Sequence, residues 1–170
     1  MCAADRHHYP GADQGPPGLA LTFAADTGAV RTALTATMGW CRGLGLSSET
    51  VGGVEIVLAE VLNNIVEHAF AGRVDGRIAL EIDRQDNALA LRIRDDGHPM
   101  PGGSAPEGAR PNLDCPLPEL PEGGFGWFMI RAMTEGLGYR RVDGQNELSF
   151  RLPIGPREPR GGSGPGAGAG

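Results

Sequence analysis

Lysine is absent from the sequence, and all 15 basic residues are arginines. A phosphate-binding P-loop requires a lysine at the β- and γ-phosphates, and an ordinary protein kinase requires one on its third strand. Schiff-base chemistry and a lysine general base are excluded for the same reason. If the protein binds a phosphate, other groups must neutralise its charge.

Cysteines and long apolar segments are also scarce. The three cysteines, Cys2, Cys41 and Cys115, are far apart and form no C-x-x-C pair, which favours reduced thiols over a disulfide framework or a zinc site. No apolar run reaches the roughly 18–20 residues of a membrane helix. The first 18 residues carry acid, histidine and proline, whereas a signal peptide needs a basic end and an apolar stretch. These absences predict a soluble, cytoplasmic protein with no membrane partner.

The formal net charge of −6 argues against direct binding of nucleic acid, because no basic stripe offsets it. A chain of 170 residues is long enough for one domain with a real core. Residues 1–18 and 155–170 are rich in glycine and proline and show no hydrophobic periodicity. We therefore expect a single domain over residues 19–154, flanked by two disordered arms.

Hydrophobic periodicity predicts the order of elements within the core. A short strand over Leu19–Phe23 precedes a helix from Asp26 or Thr27 to about Arg42, and a second helix runs from a cap at Ser47 or Ser48 through Phe70. Apolar residues then alternate with polar ones in two segments joined by a turn at residues 84–87, which predicts a hairpin.

The second half of the core follows the same logic. Residues 96–123 are rich in proline and glycine and are predicted to form a long functional loop, or lid. A third helix over Gly126–Thr134 and a hairpin complete the domain, with strands over Gly138–Val142 and Asn146–Leu152 joined by the turn Asp143-Gly144. The expected fold class is an α/β two-layer sandwich, with helices on one face of a mixed, mostly antiparallel sheet.

One edge of the second helix carries a row of polar residues. Glu60, Asn64 and His68 are spaced i, i+4, i+8 and span about 80° on a helical wheel, beside the apolar stripe that faces the core. A carboxylate, an amide and an imidazole would thus share the boundary between core and water. By itself this row is also compatible with an ordinary solvated helix edge.

Two glycine-bearing segments accompany the helix. Asp95 ends a predicted strand and is followed by Gly97, so its carboxylate could accept a hydrogen bond from an amino group lying against the turn. Gly124 and Gly126 precede or open the third helix, where free N–H groups and the helix dipole favour an anion. Each segment alone could be a simple turn. Their order, with a long loop between the last two, is far more specific.

In this order the segments resemble the GHKL superfamily of ATPases, which includes histidine-kinase catalytic domains, type II topoisomerases and a heat-shock chaperone. They match its N box, G1 box and G2 box, namely Glu60-x-x-x-Asn64-x-x-x-His68, Asp95-x-Gly97-x-Pro99 and Gly124-x-Gly126. Within the superfamily the chain is most similar to the stand-alone anti-sigma factors that act as serine-protein kinases in bacterial partner-switching systems. The resemblance extends over roughly residues 19–152.

The resemblance implies an ATP and Mg²⁺ site. Glu60 would be the general base, Asn64 would coordinate Mg²⁺, and Asp95 would receive the adenine amino group. The other expected ATP-binding residues are His68, Gly97, Gly124, Phe125, Gly126 and Asn146. Asn146 occupies the position at which related ATPases often have a threonine that supports the adenine carboxylate.

The resemblance also implies partners. An anti-sigma factor of this type phosphorylates a small antagonist domain on serine or threonine and sequesters a sigma factor or another regulator, and a homodimer is expected. Glu60 favours phosphotransfer, because a carboxylate can take the proton of the attacking hydroxyl. Two alternatives are an ATP-dependent binding switch without phosphotransfer and an orphan histidine-kinase-type catalytic domain. The sequence does not identify the target.

Overall fold

The computed structural model describes residues 18–71, 73, 75–108 and 125–155, and the terminal arms and the central part of the predicted lid lie outside them. The five strands are β1 (Leu19–Ala24), β2 (Arg77–Gln85), β3 (Ala88–Asp95), β4 (Glu135–Val142) and β5 (Gln145–Pro153). The three α-helices are α1 (Thr27–Gly43), α2 (Ser48–Asn64) and α3 (Phe125–Met133). A π-turn (Ile65–Ala69) continues α2, and a short 3₁₀ turn covers Pro101–Gly103.

The strands form one sheet in the order β1-β2-β3-β5-β4, and every described pairing is antiparallel. The predicted fold class is confirmed, although no parallel pair occurs among the described strands. Alternation places one set of strand side chains against the helices, and these are almost completely buried: Ile78, Leu80, Ile82, Leu89, Leu91, Ile93, Leu148, Phe150 and Leu152.

The central helix α2 provides most of the helical side of the core. Its N-terminus is capped by Ser47, whose side-chain oxygen accepts a hydrogen bond from the Thr50 N–H at 3.2 Å. The buried residues recur at helical spacing, as expected for an apolar stripe that packs on a sheet: Val51, Val54, Val57, Leu58, Val61 and Leu62. This stripe fixes the rotation of α2 and thereby the direction of its polar edge.

The outer face of the sheet carries a ladder of arginines and glutamates. Glu147 on β5 accepts a hydrogen bond from the Arg94 Nε at 2.9 Å, and Arg140 pairs with its other oxygen. Arg94 and Arg92 also pair with Glu81 on β2. The pKa of Glu147 is lowered, mainly by the hydrogen bond from Arg94. These charged side chains therefore pair with one another on the outer face of the sheet, while the opposite face packs against the apolar core.

Several element boundaries differ from the predictions by one or two residues, and two differ by more. The second helix is α-helical only to Asn64, rather than through Phe70, because the π-turn widens its end. The strand β4 begins at Glu135 rather than Gly138, with a register irregularity between those residues that coincides with a positive φ of 62° at Gly136. No helix of the described residues is long and apolar enough to cross a membrane.

A pair of substitutions on α2 tests the burial pattern. Leu58 is 0% exposed, whereas Ile56, two residues earlier, is 46% exposed. Leu58→Ala should lower the free energy of unfolding by about 2–5 kcal/mol, because it removes buried methyl groups and leaves a cavity. Ile56→Ala should change it by less than about 1 kcal/mol. Urea denaturation of both variants measures the difference, and equal losses would contradict the assigned orientation of α2.

Candidate functional site

The π-turn at the end of α2 brings the helix into direct contact with the loop after β3. The Phe70 N–H donates to the Ile65 carbonyl at 3.2 Å, a step of five residues. The Ala69 carbonyl accepts a hydrogen bond from the His98 N–H at 2.8 Å instead of one from its own helix. At Gly97 a Cβ atom would lie 2.6 Å from this carbonyl oxygen, so glycine is required for the close approach of the two backbones.

Asp95 is the last residue of β3 and lies opposite Asn146 of β5 in the sheet register. Its Oδ1 accepts two hydrogen bonds, from the Gly97 N–H at 2.9 Å and from the Asn146 Nδ2 at 2.7 Å. Both side chains are buried, at 6% and 4% exposure. The second carboxylate oxygen, Oδ2, has no hydrogen bond with the described residues.

The residue that carries this oxygen, Asp95, lines a cavity. Burial is the largest effect on this group and raises the pKa of Asp95, opposed by the hydrogen bonds from Asn146 and Gly97. The nearby Asp96 raises the pKa further, and Arg141 lowers it.

Asn146 is saturated with hydrogen bonds. Its Nδ2 also donates to the His98 carbonyl at 2.9 Å. Its Oδ1 accepts from the Tyr139 hydroxyl at 2.7 Å and from the Arg141 guanidinium, which also donates to the Gly97 carbonyl at 3.0 Å. The Tyr139 oxygen in turn accepts from the Met100 N–H at 3.0 Å.

The cavity between α2, the loop after β3 and β5 has a volume of about 670 Å³, within the range of small-molecule sites. Its walls are largely apolar, with a few convergent polar groups. It is lined by Val61, Asn64, Ile65, Glu67, His68, Ala69, Ala71, Asp95, His98, Pro99, Met100, Pro101, Pro106, Trp127, Tyr139, Asn146 and Leu148.

Glu60 and Asn64 lie at the edge of this cavity, beside the first turn of α3. The Asn64 Nδ2 donates to the Glu60 carbonyl at 2.6 Å, one turn back along α2. The amide oxygen therefore points away from the helix and makes no hydrogen bond with the described residues. A Cβ on Gly126 would lie 2.4 Å from the Glu60 Oε2 and 3.5 Å from the Asn64 Nδ2, so α3 starts directly against both side chains.

Residues 105–108, at the end of the described part of the loop, pack against α3. The Arg131 Nε and Nη2 donate to the carbonyls of Pro106 and Ala105, both at 2.8 Å. Gly108 has a φ of 74°, and a Cβ there would lie 2.5 Å from the Phe128 nitrogen. These contacts hold one wall of the cavity in place beside Trp127.

The structure brings most of the predicted site residues together. Asn64, Asp95 and Asn146 line the cavity directly. Glu60 and Gly126 adjoin it, and Gly97 lies at its base against Ala69.

Three predicted site residues remain. His68 also lines the cavity, but it is exposed on the π-turn and forms no hydrogen bond with the described residues. Phe125 opens α3 and is half-buried, and Gly124 lies outside the described residues.

Sequence reasoning missed Tyr139 and Arg141. Both could have been predicted from the register of the last hairpin, because a two-residue turn at Asp143-Gly144 pairs Arg141 with Asn146. Tyr139 shares the face of Arg141, two residues earlier. Met100 and Trp127 had no comparable signal, because their positions depend on how the loop and α3 pack over the sheet.

Comparison with known proteins supports the architecture. The chain is 24% identical over 106 residues to the serine-protein kinase RsbW of Bacillus thuringiensis, covering 62% of this chain and 66% of that protein. It is 31% identical over 91 residues to the blue-light-activated histidine kinase 2 of Erythrobacter litoralis, covering 53% of this chain and 22% of that protein. The chain thus spans slightly less than two thirds of the first relative and about a fifth of the second.

The fold also matches a solved structure, that of the RsbU and RsbW domains of a Mycobacterium tuberculosis protein. The TM-score is 0.57 at 18% identity, and the match covers 81% of this chain and 32% of the other. At that identity the likeness shows the fold alone. The family model described as the histidine kinase-like ATPase domain matches residues 23–152, which include all of the described cavity. The chain therefore belongs to the histidine kinase-like ATPase domain family.

Proposed function

We propose that this chain binds Mg·ATP in the cavity between α2 and β5 and phosphorylates a serine or threonine of a partner protein, as an anti-sigma-type regulator. The observation that carries the proposal is that Asp95 on the sheet and Asn64 on α2 line one cavity, and that each keeps a side-chain oxygen with no hydrogen bond to the described residues. The Glu60 carboxylate lies one turn before Asn64 on α2.

The sheet side of the cavity suits adenine. A carboxylate oxygen without a protein donor requires a donor from the ligand, and the exocyclic amino group of adenine supplies one. The apolar residues around it, including Ile65, Met100 and Leu148, suit the faces of a flat ring. Both Gly97 and Asn146 serve this end of the site by holding the Oδ1 of the same carboxylate.

The helix side suits a metal and phosphates. Mg²⁺ prefers oxygen ligands and is commonly held by one or two protein groups together with substrate phosphates and water. The described residues contain no cluster of three or more His, Cys, Asp or Glu side chains that could hold a metal without such help. The Asn64 oxygen fits this role because its amide nitrogen is already bound to Glu60.

Phosphate charge must be neutralised without lysine. No described residue that lines the cavity is an arginine, so the metal and backbone N–H groups would carry this task. The N-terminal turn of α3 begins at Phe125 and presents Gly126 beside Asn64, where the helix dipole favours an anion. We propose Gly124, the residue before α3 in the sequence, for the same phosphate site, and His68 as a further ATP-binding residue.

Glu60 would act in the transfer step. The oxygen of the acceptor hydroxyl forms a bond to the γ-phosphorus, the bond from that phosphorus to the β–γ bridging oxygen breaks, and ADP leaves. The hydroxyl proton passes to the Glu60 carboxylate. Bound Mg²⁺ would neutralise the charge that develops on the phosphate oxygens.

The proposed partners are those that the resemblance to stand-alone anti-sigma factors implies. One is a small antagonist domain that carries the acceptor hydroxyl, and the other is a sigma factor or another regulator that is sequestered. We propose that the chain acts as a homodimer in the cytoplasm, built from one domain over residues 19–154. Without phosphotransfer, the same site would act as an ATP-dependent binding switch.

A second candidate is supported by the histidine kinase relative, which is 31% identical over 91 residues. In that case the acceptor would be an imidazole nitrogen of a separate protein. The two candidates differ in the chemistry of the product, since a phosphoserine or phosphothreonine survives acid and a phosphohistidine does not. Acid treatment of a radiolabelled partner therefore separates them.

The metal assignment is tested by two neighbouring asparagines. Asn64→Ala should weaken binding of Mg·ATP by about 10- to 100-fold, because a ligand oxygen of a hard cation is lost. Asn63 is exposed and does not line the cavity, so Asn63→Ala should leave binding nearly unchanged. Thermal shifts measure both, since ligand at about 100 times its dissociation constant stabilises the native state by about 2.7 kcal/mol. Equal damage from the two changes would refute the assignment.

The adenine assignment is tested by Asp95→Asn. The amide can keep its oxygen toward Gly97 and Asn146 and would then present an NH₂ donor to the cavity, in place of the acceptor. Affinity for ATP should fall about tenfold or more, while affinity for inosine triphosphate, which has a carbonyl in place of the amino group, should fall less or rise. Titration calorimetry with both nucleotides gives the ratio, and an unchanged ratio would exclude this role for Asp95.

The same variant should be more stable without nucleotide. Burial raises the pKa of Asp95, so the folded state is disfavoured as this group ionises. Asp95→Asn should therefore melt at a higher temperature than the wild type at pH 7, and the difference should shrink as the pH falls through the raised pKa of Asp95 and disappear below about 4, the ordinary pKa of an unfolded aspartate. Asp83→Asn, at an exposed position on β2, is the matched control for the loss of one carboxylate.

The kinase proposal is tested by Glu60→Gln. The amide keeps the shape of the side chain but cannot accept the proton, so ATP should bind about normally while phosphotransfer falls by about 10²–10⁴-fold. The assay follows label from γ-³²P-ATP into the antagonist domain encoded nearest to this chain, with Glu55→Gln, exposed on the same helix, as control. Normal transfer by Glu60→Gln would remove Glu60 as the base. A wild type that binds ATP and partner without transfer would instead establish the binding switch.

A further inference from the structure

Tyr139 belongs to a chain of hydrogen bonds whose direction is fixed. A backbone N–H can only donate, so the Met100 N–H uses an acceptor site on the Tyr139 oxygen, at 3.0 Å. The single Tyr139 proton is then left for the Asn146 Oδ1, at 2.7 Å. A guanidinium also can only donate, and Arg141 occupies the remaining acceptor site of that same oxygen.

The fixed direction determines the orientation of the Asn146 amide. Its oxygen accepts from the Arg141 guanidinium, which can only donate, and from the Tyr139 hydroxyl, so its NH₂ group faces the other way, toward Asp95 and the His98 carbonyl at 2.7 and 2.9 Å. The reversed amide would place the Arg141 donor against the NH₂ group and an oxygen against a carboxylate. At 4% exposure, Asn146 has little access to water that could relieve this mismatch.

The orientation of Asn146 decides which oxygen of Asp95 remains free. The Asn146 NH₂ and the Gly97 N–H both bind the Asp95 Oδ1. Two donors on one oxygen stop rotation of the carboxylate and leave the Oδ2 as the acceptor for a ligand. Tyr139 also lines the cavity, although its hydroxyl is engaged with Met100 and Asn146.

We propose that Tyr139 is a positioning residue for base selectivity: its hydroxyl orients Asn146 so that Asp95 presents a single fixed acceptor to the purine amino group. This inference rests on the proposed adenine site. The hydroxyl also attaches the backbone of Met100, at the start of the loop over the cavity, to the same network. The orientation of the base-reading carboxylate and the position of that loop are therefore linked through one phenolic oxygen.

The test compares the affinities of the full chain for Mg·ATP and Mg·inosine triphosphate. Tyr139→Phe keeps the ring and removes only the hydroxyl. It should weaken ATP binding by about three- to tenfold, the usual worth of one hydrogen bond, and should weaken binding of inosine triphosphate less. The ratio of the two affinities therefore falls. Arg140→Gln changes the neighbouring residue on the opposite face of β4, which pairs with Glu147, and should leave the ratio unchanged.

A double variant separates positioning from general loss of structure. If Tyr139 acts through Asn146, then Tyr139→Phe should not lower the ratio further in an Asn146→Ala background. Independent, multiplicative effects, or an unchanged ratio in Tyr139→Phe alone, would overturn the proposal. If Tyr139→Phe is unfolded at the assay temperature, Arg141→Met removes the other donor to the same oxygen, and a ratio equal to that of the wild type again overturns it.

Failure of the underlying site has a different signature. A wild type that binds neither nucleotide, or binds both equally, contradicts the adenine site itself, and the role of Tyr139 falls with it. A wild type that prefers ATP, together with a Tyr139→Phe variant that keeps this preference, contradicts only the role of Tyr139.

Discussion

A single backbone contact, between the end of α2 and the loop after β3, determines the geometry of the site. The hydrogen bond from the His98 N–H to the Ala69 carbonyl, at 2.8 Å, joins the helix that carries Asn64 to the turn that follows Asp95. The contact needs the π-turn, which directs the carbonyl out of the helix, and it needs Gly97, where a side chain would collide with that carbonyl. Without it, Asp95 and Asn64 would not line one cavity.

Most of the fold follows from local patterns in the sequence. The caps at Asp26 and Ser47, the apolar stripe of α2 and the alternation in β2 and β3 were sufficient to predict the layers, because each pattern matches the periodicity of a single element. The π-turn was not predictable in this way. Its hydrogen bond joins residues five apart and competes with the four-residue hydrogen bond of an ordinary α-helix. The contact with His98 that accompanies it involves a residue distant in the sequence.

The sequence indicated most of the residues of the site, but fewer of the contacts and hydrogen bonds between them. The spacing of Glu60 and Asn64 on one helix fixes their proximity, so the sequence indicated that pair directly. The reason for glycine at position 97 was not evident, since the atom that excludes a side chain belongs to Ala69, almost thirty residues earlier along the chain. The partners of Asn146 required the register of two strand pairings, β3 with β5 and β4 with β5, of which only the second is set by a local turn.

The pairing of β3 with β5 places two acidic groups, whose pKa values are shifted in opposite directions, in consecutive residue pairs of the sheet. Asp95 lies opposite Asn146 on the buried side, and Glu147 lies opposite Arg94 on the charged side. Burial raises the pKa of the first, and the arginine ladder lowers the pKa of the second. Acidification thus relieves a cost at one face of the strand pair, while at the other face it removes a stabilising charge pair, so the two neighbouring groups respond to acid with opposite signs. Guanidinium groups stay charged well above neutral pH, so on the alkaline side the ladder persists intact and the cost of the ionised Asp95 remains.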